Sequence, residues 1–148
     1  MLAAARGNGT LPAVRIAFGT DESTAVTAAV CEHLEAGGHE VVTVAEDVVW
    51  TEVGRGVGEL VASGGADLGV VCCWTGTGVS IAANKVVGVR AALCTDAETA
   101  RGARRWNDAN VLALGLRLTS DTVAREVLDA FLTTAVDAAE ADTIADLR

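Results

Sequence analysis

Short apolar runs and stretches with helical spacing alternate along the chain. The runs that predict strands are Val14–Phe18, Glu40–Val44, Leu68–Cys72, Val89–Leu93 and Asn110–Leu114. The stretches that predict the larger helices are Ser23–Ala36, Val53–Val61, Thr95–Arg105 and Asp121–Leu132. Thr95 and Glu98 have the spacing of a capping box, which predicts that the third of these helices begins there. This alternation predicts an α/β fold, with a five-stranded parallel sheet covered by helices on both faces.

The chain has 148 residues, the size of one domain. We expect residues 1–12, which are rich in Ala and Gly, to be a loose N-terminal extension, and residues 13–148 to be a single domain. The extension lacks the apolar stretch of a secretory signal, and no run reaches the roughly 18 residues of a membrane span. The four cysteines have no CxxC spacing, so we expect reduced thiols and a cytoplasmic protein.

Composition removes several classes of function. The formal net charge is −9 and aromatic residues make up 3% of the chain, which argues against nucleic acid and anionic membranes as partners. There is no Tyr, one Lys and only two His, too few for a His-rich metal site. Of the two, His39 follows two glycines, and we expect it to be exposed in a turn.

In a parallel α/β sheet, ligands bind beyond the carboxyl ends of the strands. This rule points to Gly19–Glu22, Cys73–Gly78, Thr95-Asp96 and the segment near Asn107. The second of these is the richest, because an apolar strand runs through a Thr/Gly loop into a short helix. Glycines and a helix N-terminus both favour an oxyanion or a phosphate, although a tight strand–helix turn explains the same pattern.

Single residues in these segments each have two interpretations. A thiol at Cys73, at a strand end beside a helix N-terminus, can act as base or nucleophile, or can be a small buried residue. Asp21 is a candidate ligand or a helix N-cap. Asn107 beside Asp108 suits a ligand or a turn. Trp74 and Trp106 can wall a pocket or be buried in the ordinary way.

Three segments carry a resemblance to a known family: Ile16–Asp21, Cys73–Lys85 and Asn107–Gly115. They resemble the type B ribose-5-phosphate isomerases, a family that also includes galactose-6-phosphate isomerase subunits. The similarity runs in order from about Val14 to Leu132. It implies a Rossmann-like, three-layer fold, a homodimer or tetramer with active sites shared between subunits, and no metal or other cofactor. It also implies aldose–ketose isomerisation of a sugar or sugar phosphate through a cis-enediolate.

The resemblance also implies residue roles. Cys73 matches the residue that moves the proton between the two carbons. Thr75, Gly76, Thr77 and Gly78 match the loop that binds the sugar and stabilises the enediolate. Asp21 matches a ligand-binding aspartate. Asn107 and Arg117 match residues that the family supplies from the neighbouring subunit.

The chain departs from this family at positions that concern the substrate. Glu22 and Trp106 stand where the family usually has histidines, and the second of those is credited with opening the sugar ring. The segment 133–147 has no Arg or Lys, where the family brings arginines to the phosphate. We therefore expect a short, open-chain or unphosphorylated substrate, bound also by Glu22, Trp74 and Trp106.

Two other functions remain open from the sequence. The same site can serve an epimerase or an eliminating enzyme acting on a specialised metabolite. A non-catalytic sugar-phosphate-binding protein is the other alternative, and the retained Cys73 argues against it.

Overall fold

The computed structural model describes residues 12–147, which form a five-stranded parallel sheet in the order β2-β1-β3-β5-β4. The strands are β1 (Arg15–Thr20), β2 (Glu40–Glu46), β3 (Leu68–Cys73), β4 (Ala91–Leu93) and β5 (Val111–Gly115). The helices are α1 (Ala25–Ala36), α2 (Trp50–Ala62), α3 (Thr77–Asn84), α4 (Ala97–Asn107), α5 (Asp121–Thr133) and α6 (Ala141–Ala145). A 3₁₀ turn, Ala138–Glu140, precedes α6. The predicted sheet is confirmed, and the expected extension lies outside the described residues except for Pro12.

The sheet separates two hydrophobic cores because successive strand residues point to opposite faces. Every residue of β3 is buried, as its continuous apolar run predicts for a central strand. Val70 and Cys72 pack with α1, α4 and α5 on one face. Val71 and Cys73 pack with α2 and α3 on the other. The two neighbouring cysteines therefore belong to different cores.

Two local expectations are wrong. Helix α4 has no capping box at Thr95: its N-cap is Asp96, which is extended (φ −152°) and accepts a hydrogen bond from Thr99 N at 2.7 Å. A short carboxylate at this position satisfies a free helix amide directly. His39 is 7% exposed rather than in the solvent, because its Nδ1 accepts from Val14 N at 3.2 Å. Burial lowers the pKa of His39.

The strand register brings three strand ends to one level. Thr20 of β1 pairs with Cys72, and Cys73 of β3 pairs with Gly115 of β5. We call this side of the sheet the carboxyl edge and the opposite side the amino edge. Helix α4 follows β4 and runs back from the carboxyl edge, so its last residue, Asn107, lies towards the amino edge. No helix within residues 12–147 has the length and apolar character of a membrane span.

Candidate active site

Backbone hydrogen bonds join the loops that follow β1, β3 and β5. Asp21 N donates to Cys72 O at 3.2 Å, which fixes the first loop against the end of β3. Leu116 N donates to Cys73 O at 2.9 Å, and Arg117 N donates to Trp74 O at 2.8 Å. These hydrogen bonds hold the backbone of Asp21, Cys73, Trp74 and Arg117 together at the carboxyl edge.

The segment Trp74–Gly78, here called the glycine loop, lies so close to the end of β5 that neither segment has room for a Cβ atom at its glycine. Gly76 has φ +77°, and a methyl group there would lie 2.5 Å from Leu93 Cδ1 and 2.9 Å from Gly115 N. A methyl group at Gly115 would lie 2.6 Å from Thr75 O. Both glycines are therefore required by space, and Gly76 also by its left-handed backbone.

The glycine loop leads into a helix whose first amides have no side-chain cap. Gly76 is the N-cap of α3 and has no side chain with which to cap it. Ser80 N makes the first intrahelical bond, to Gly76 O at 3.2 Å, so the amides of Thr77, Gly78 and Val79 precede the regular ladder. Thr77 N donates a long hydrogen bond to Thr75 Oγ1, at 3.4 Å. Amides of this kind favour an oxyanion or a phosphate.

Cys73 and Cys72 have different surroundings. Cys73 is 4% exposed, ends β3 directly before the glycine loop, and packs in the core beneath α2 and α3. Cys72 is fully buried in the other core, where burial raises the pKa of its thiol far above the usual range. Burial also raises the pKa of Cys31 and of Cys94 to about 11. Of the four thiols, only Cys73 adjoins the glycine loop.

Asp21 carries an unpaired oxygen at the carboxyl edge. Its Oδ1 is buried and has no hydrogen-bond partner among the described residues. Burial raises the pKa of Asp21, nearby Glu22 raises it further, and the backbone amides of both residues partly offset these effects. A buried carboxylate oxygen without a donor destabilises the fold, and a ligand hydroxyl would supply the donor. The structure thus favours the ligand interpretation of Asp21, since Thr24 rather than Asp21 caps α1.

The end of β2 adds two acidic residues that sequence reasoning missed. Ser23 N donates to Asp47 Oδ1 at 2.7 Å, and Ser23 Oγ lies 3.1 Å from Glu46 Oε1. Glu22, Glu46 and Asp47 are all exposed. The rule that ligands bind beyond the carboxyl ends of the strands is here called the strand-end rule. Applied to β2, it would have found these two residues, because β2 is adjacent to β1 in the sheet. Across residues 12–147, His, Cys, Asp and Glu side chains nowhere gather in a group of three that could hold a metal ion.

The predicted site residues fall into two groups. Asp21, Glu22, Cys73, Arg117 and the glycine loop share the carboxyl edge of one chain. Trp106 and Asn107 do not, because α4 carries them through 11 residues, about 16 Å, away from that edge. Asn107 instead lines a cavity of about 530 Å³ with Lys85 and Arg90. The strand-end rule was therefore wrong for Asn107 within a single chain.

The predicted residues that are exposed include the two tryptophans and the arginine. The side chains of Trp74 and Trp106 are 56% and 54% exposed, so neither is buried in the ordinary way. Arg117 is exposed on the carboxyl edge of its own chain. Arg117 thus lies on the same edge as Cys73, whereas Asn107 lies towards the amino edge.

Comparison with known proteins gives a consistent result. A family model described as Ribose/Galactose Isomerase matches residues 16–146. The galactose-6-phosphate isomerase subunit LacB of Clostridium acetobutylicum is 45% identical over 107 residues, covering 70% of this chain and 62% of that protein. The D-erythrulose-4-phosphate isomerase of Pectobacterium atrosepticum is 38% identical over 87 residues, covering 59% and 57%. The chain thus spans less than two thirds of the length of these two relatives.

A solved structure is similar to this chain over a larger share of both chains. Ribose-5-phosphate isomerase B of Clostridium thermocellum superposes with a TM-score of 0.82 at 36% identity. The similarity covers 88% of this chain and 93% of that one.

The surroundings of the cysteines predict an order of alkylation. Iodoacetamide at pH 8 should modify Cys73 before Cys72, because a wholly buried thiol with a raised pKa presents little thiolate. Fragment-ion mapping of the shared peptide separates the two sites, and Cys73→Ser should remove the faster phase. Faster modification of Cys72 would show that the wrong cysteine has been assigned to the site.

The unpaired oxygen of Asp21 predicts that this candidate ligand-binding residue lowers the stability of the folded protein. Asp21→Asn should raise the Tm at pH 7, because the folded state of the native protein favours the protonated carboxyl. The native protein regains this stability as the pH falls through the raised folded-state pKa, so the difference should shrink and then vanish below the ordinary Asp pKa of about 3.9. Thermal unfolding followed by circular dichroism at several pH values measures it.

The control for this experiment removes the same charge elsewhere. Asp142→Asn, on the exposed surface of α6, should leave the Tm unchanged. A lower Tm for Asp21→Asn than for the native protein at pH 7 would mean that the carboxylate stabilises the fold.

Proposed function

Because the chain belongs to the ribose/galactose isomerase family, we propose that it interconverts an aldose and a ketose phosphate of short chain length. One observation carries this proposal: a thiol, a row of helix amides without a side-chain cap and an unpaired carboxylate oxygen share the carboxyl edge. Removal of a proton next to a carbonyl needs a placed base, and the oxygen that becomes negative needs fixed donors.

Each group has a part in the proposed reaction. The Cys73 thiolate takes the proton from the carbon next to the carbonyl, and the electron pair moves to the carbonyl oxygen to form a cis-enediolate. The amides of Thr77, Gly78 and Val79, with Thr75, stabilise this oxygen without a metal ion. The proton of the adjacent hydroxyl then passes across the cis-enediolate to this oxygen, and Cys73 returns its own proton to the former carbonyl carbon as the second oxygen becomes the new carbonyl. The Oδ1 of Asp21 accepts a hydrogen bond from a substrate hydroxyl.

The residues around the site support a short substrate. Glu22, Glu46 and Asp47 make the rim near Asp21 acidic, which disfavours a dianion on that side. Arg117 can still hold one phosphate at the other side. Trp106 cannot open a sugar ring, because its indole N–H is a donor that does not titrate. A four-carbon keto-sugar phosphate needs no ring opening, and one relative is named for such a substrate.

Trp106 and Asn107 enter the proposal through a second copy of the chain. Their distance from Cys73 within one chain means that they can serve a site only across an interface. We therefore include a homodimer, or a tetramer built from it, in which each site combines Cys73 of one subunit with Asn107 of the other.

The substrate proposal predicts a ranking in steady-state assays. The kcat/KM for D-erythrulose 4-phosphate should exceed that for ribose 5-phosphate by about 100-fold or more, because general acid–base help in ring opening is worth about 10² to 10⁴. Cys73→Ala should lower kcat/KM for the better substrate by a comparable factor and abolish deuterium uptake from D₂O.

The matched control is Cys31→Ala, which removes a thiol from α1 outside the site and should keep kcat. A kcat/KM for ribose 5-phosphate of about 10⁴ M⁻¹s⁻¹ or more would contradict the short-substrate proposal. Binding without deuterium uptake would favour a non-catalytic protein, and uptake with a changed configuration or a lost group would favour an epimerase or an eliminating enzyme.

The shared site predicts complementation between inactive variants. Cys73→Ala and Asn107→Ala should each be weakly active alone. After subunit exchange they should recover up to about a quarter of native activity, because half of the dimers then carry one intact site. Light scattering at micromolar concentration confirms the dimer. If exchange occurs and no activity returns, Asn107 does not act across the interface.

A further inference from the structure

Helices α2 and α3 pack along lines of residues spaced four apart. The line on α2 is Trp50, Gly54 and Gly58. The residues opposite it are Gly78 and Ala82 of α3 and Val86, which follows the end of that helix. A methyl group at Gly54 would lie 2.5 Å from Ala82 Cβ and 2.7 Å from Val79 O. One at Gly58 would lie 3.1 Å from Val86 Cγ2. We call this contact the α2–α3 seam.

The seam matches large residues with small ones, and its largest residue lies beside the glycine loop. At the far end, Gly58 receives the side chain of Val86. At the near end, Gly78 receives the indole of Trp50, since a methyl group at Gly78 would lie 2.9 Å from Trp50 Cδ2 and Cε3. Gly78 belongs both to the glycine loop and to the first turn of α3. The ring of Trp50 therefore packs directly on the backbone that supplies the proposed oxyanion donors.

Trp50 has no evident need to be this large for core packing. Its side chain is 40% exposed, whereas the apolar residues of α2 that face the sheet, Val53 and Val57, are fully buried. It begins α2, where the N-cap Val49 makes no side-chain hydrogen bond. Its ring contacts the site at Gly78.

We propose that Trp50 is a positioning residue for the isomerase reaction: its indole packs on Gly78 and fixes the first turn of α3. The inference rests on the proposed function of the glycine loop. With the ring in place, the amides of Thr77, Gly78 and Val79 keep the direction that the enediolate oxygen requires. Without the ring, Gly78 loses this packing contact, and the first turn of α3 is no longer fixed by it. Displacement of such donors by about 1 Å can cost up to about 100-fold in rate.

The test compares kcat in three single variants with the native protein. Trp50→Ala removes the ring and should lower kcat by about 10- to 100-fold. Trp50→Phe keeps an aromatic ring beside Gly78 and should retain kcat within about threefold. Gly58→Ala disturbs the far end of the α2–α3 seam and should keep kcat while it changes the Tm. A loss in Gly58→Ala equal to that in Trp50→Ala would overturn the proposal, because general packing would then explain both.

A double variant separates positioning from folding. Gly78→Ala places a methyl group against the ring and should lower kcat. If the ring transmits the effect, Trp50→Phe combined with Gly78→Ala should recover part of that loss, since the smaller ring makes space. Strictly multiplicative losses in the two substitutions would overturn the proposal.

The two levels of inference fail differently. If the native protein neither turns over sugar phosphates nor exchanges a substrate proton with D₂O, the proposed function is wrong, and the role of Trp50 falls with it. If the native protein is active and folded Trp50→Ala has native kcat, only the role of Trp50 is wrong.

Discussion

The contact between the glycine loop and the end of β5 is the constraint on which the site depends. Thr75 O lies where a side chain at Gly115 would have to begin, and Gly76 occupies a backbone conformation that other residues rarely adopt. Because of this close approach, Leu116 N and Arg117 N reach the carbonyls of Cys73 and Trp74. The end of β3 and the start of α3 thus become one rigid backbone, with Cys73 on one side and the helix amides on the other. The α2–α3 seam supports the same turn from outside.

Asp21, in contrast to the glycine loop, belongs to the candidate site but lowers the stability of the fold. Its buried Oδ1 lacks a donor, and both burial and Glu22 disfavour its ionised form. A residue selected for stability alone would carry no such charge there. Unpaired buried groups of this kind are typical of functional sites, where a ligand completes the hydrogen bonding. The fold tolerates the cost because every residue of β3, and every residue of β1 after Arg15, is buried.

Periodicity in the sequence predicted the strands and helices well, because the apolar positions of β3 and of α5 report burial directly. Details set by single polar atoms were not predictable in the same way. The N-cap of α4 depends on which of two adjacent residues reaches Thr99 N, and the burial of His39 depends on a backbone donor 25 residues away. Of the candidate site, the strand-end rule pointed to Asp21 and the glycine loop, which the structure places on the same edge. It missed Glu46 and Asp47, and it misplaced Asn107, because the direction of α4 becomes clear only when the sheet is assembled. The contact of Trp50 with Gly78 also needed the structure, since it depends on how two helices cross.

The division of the cysteines between the two cores has a consequence for oxidation. Cys72 and Cys94 belong to the core beneath α1, α4 and α5, and Cys31 packs against it, whereas Cys73 is the one cysteine in the other core. A thiol oxidised to sulfenic acid is normally rescued when a second thiol condenses with it to form a disulfide. The neighbour in sequence, Cys72, points to the opposite face of the sheet, so it cannot form this disulfide while β3 is intact. Sulfenic acid at Cys73 therefore has no resolving partner within its own chain, and a thiol from outside the chain must reduce it before further oxidation makes the change permanent.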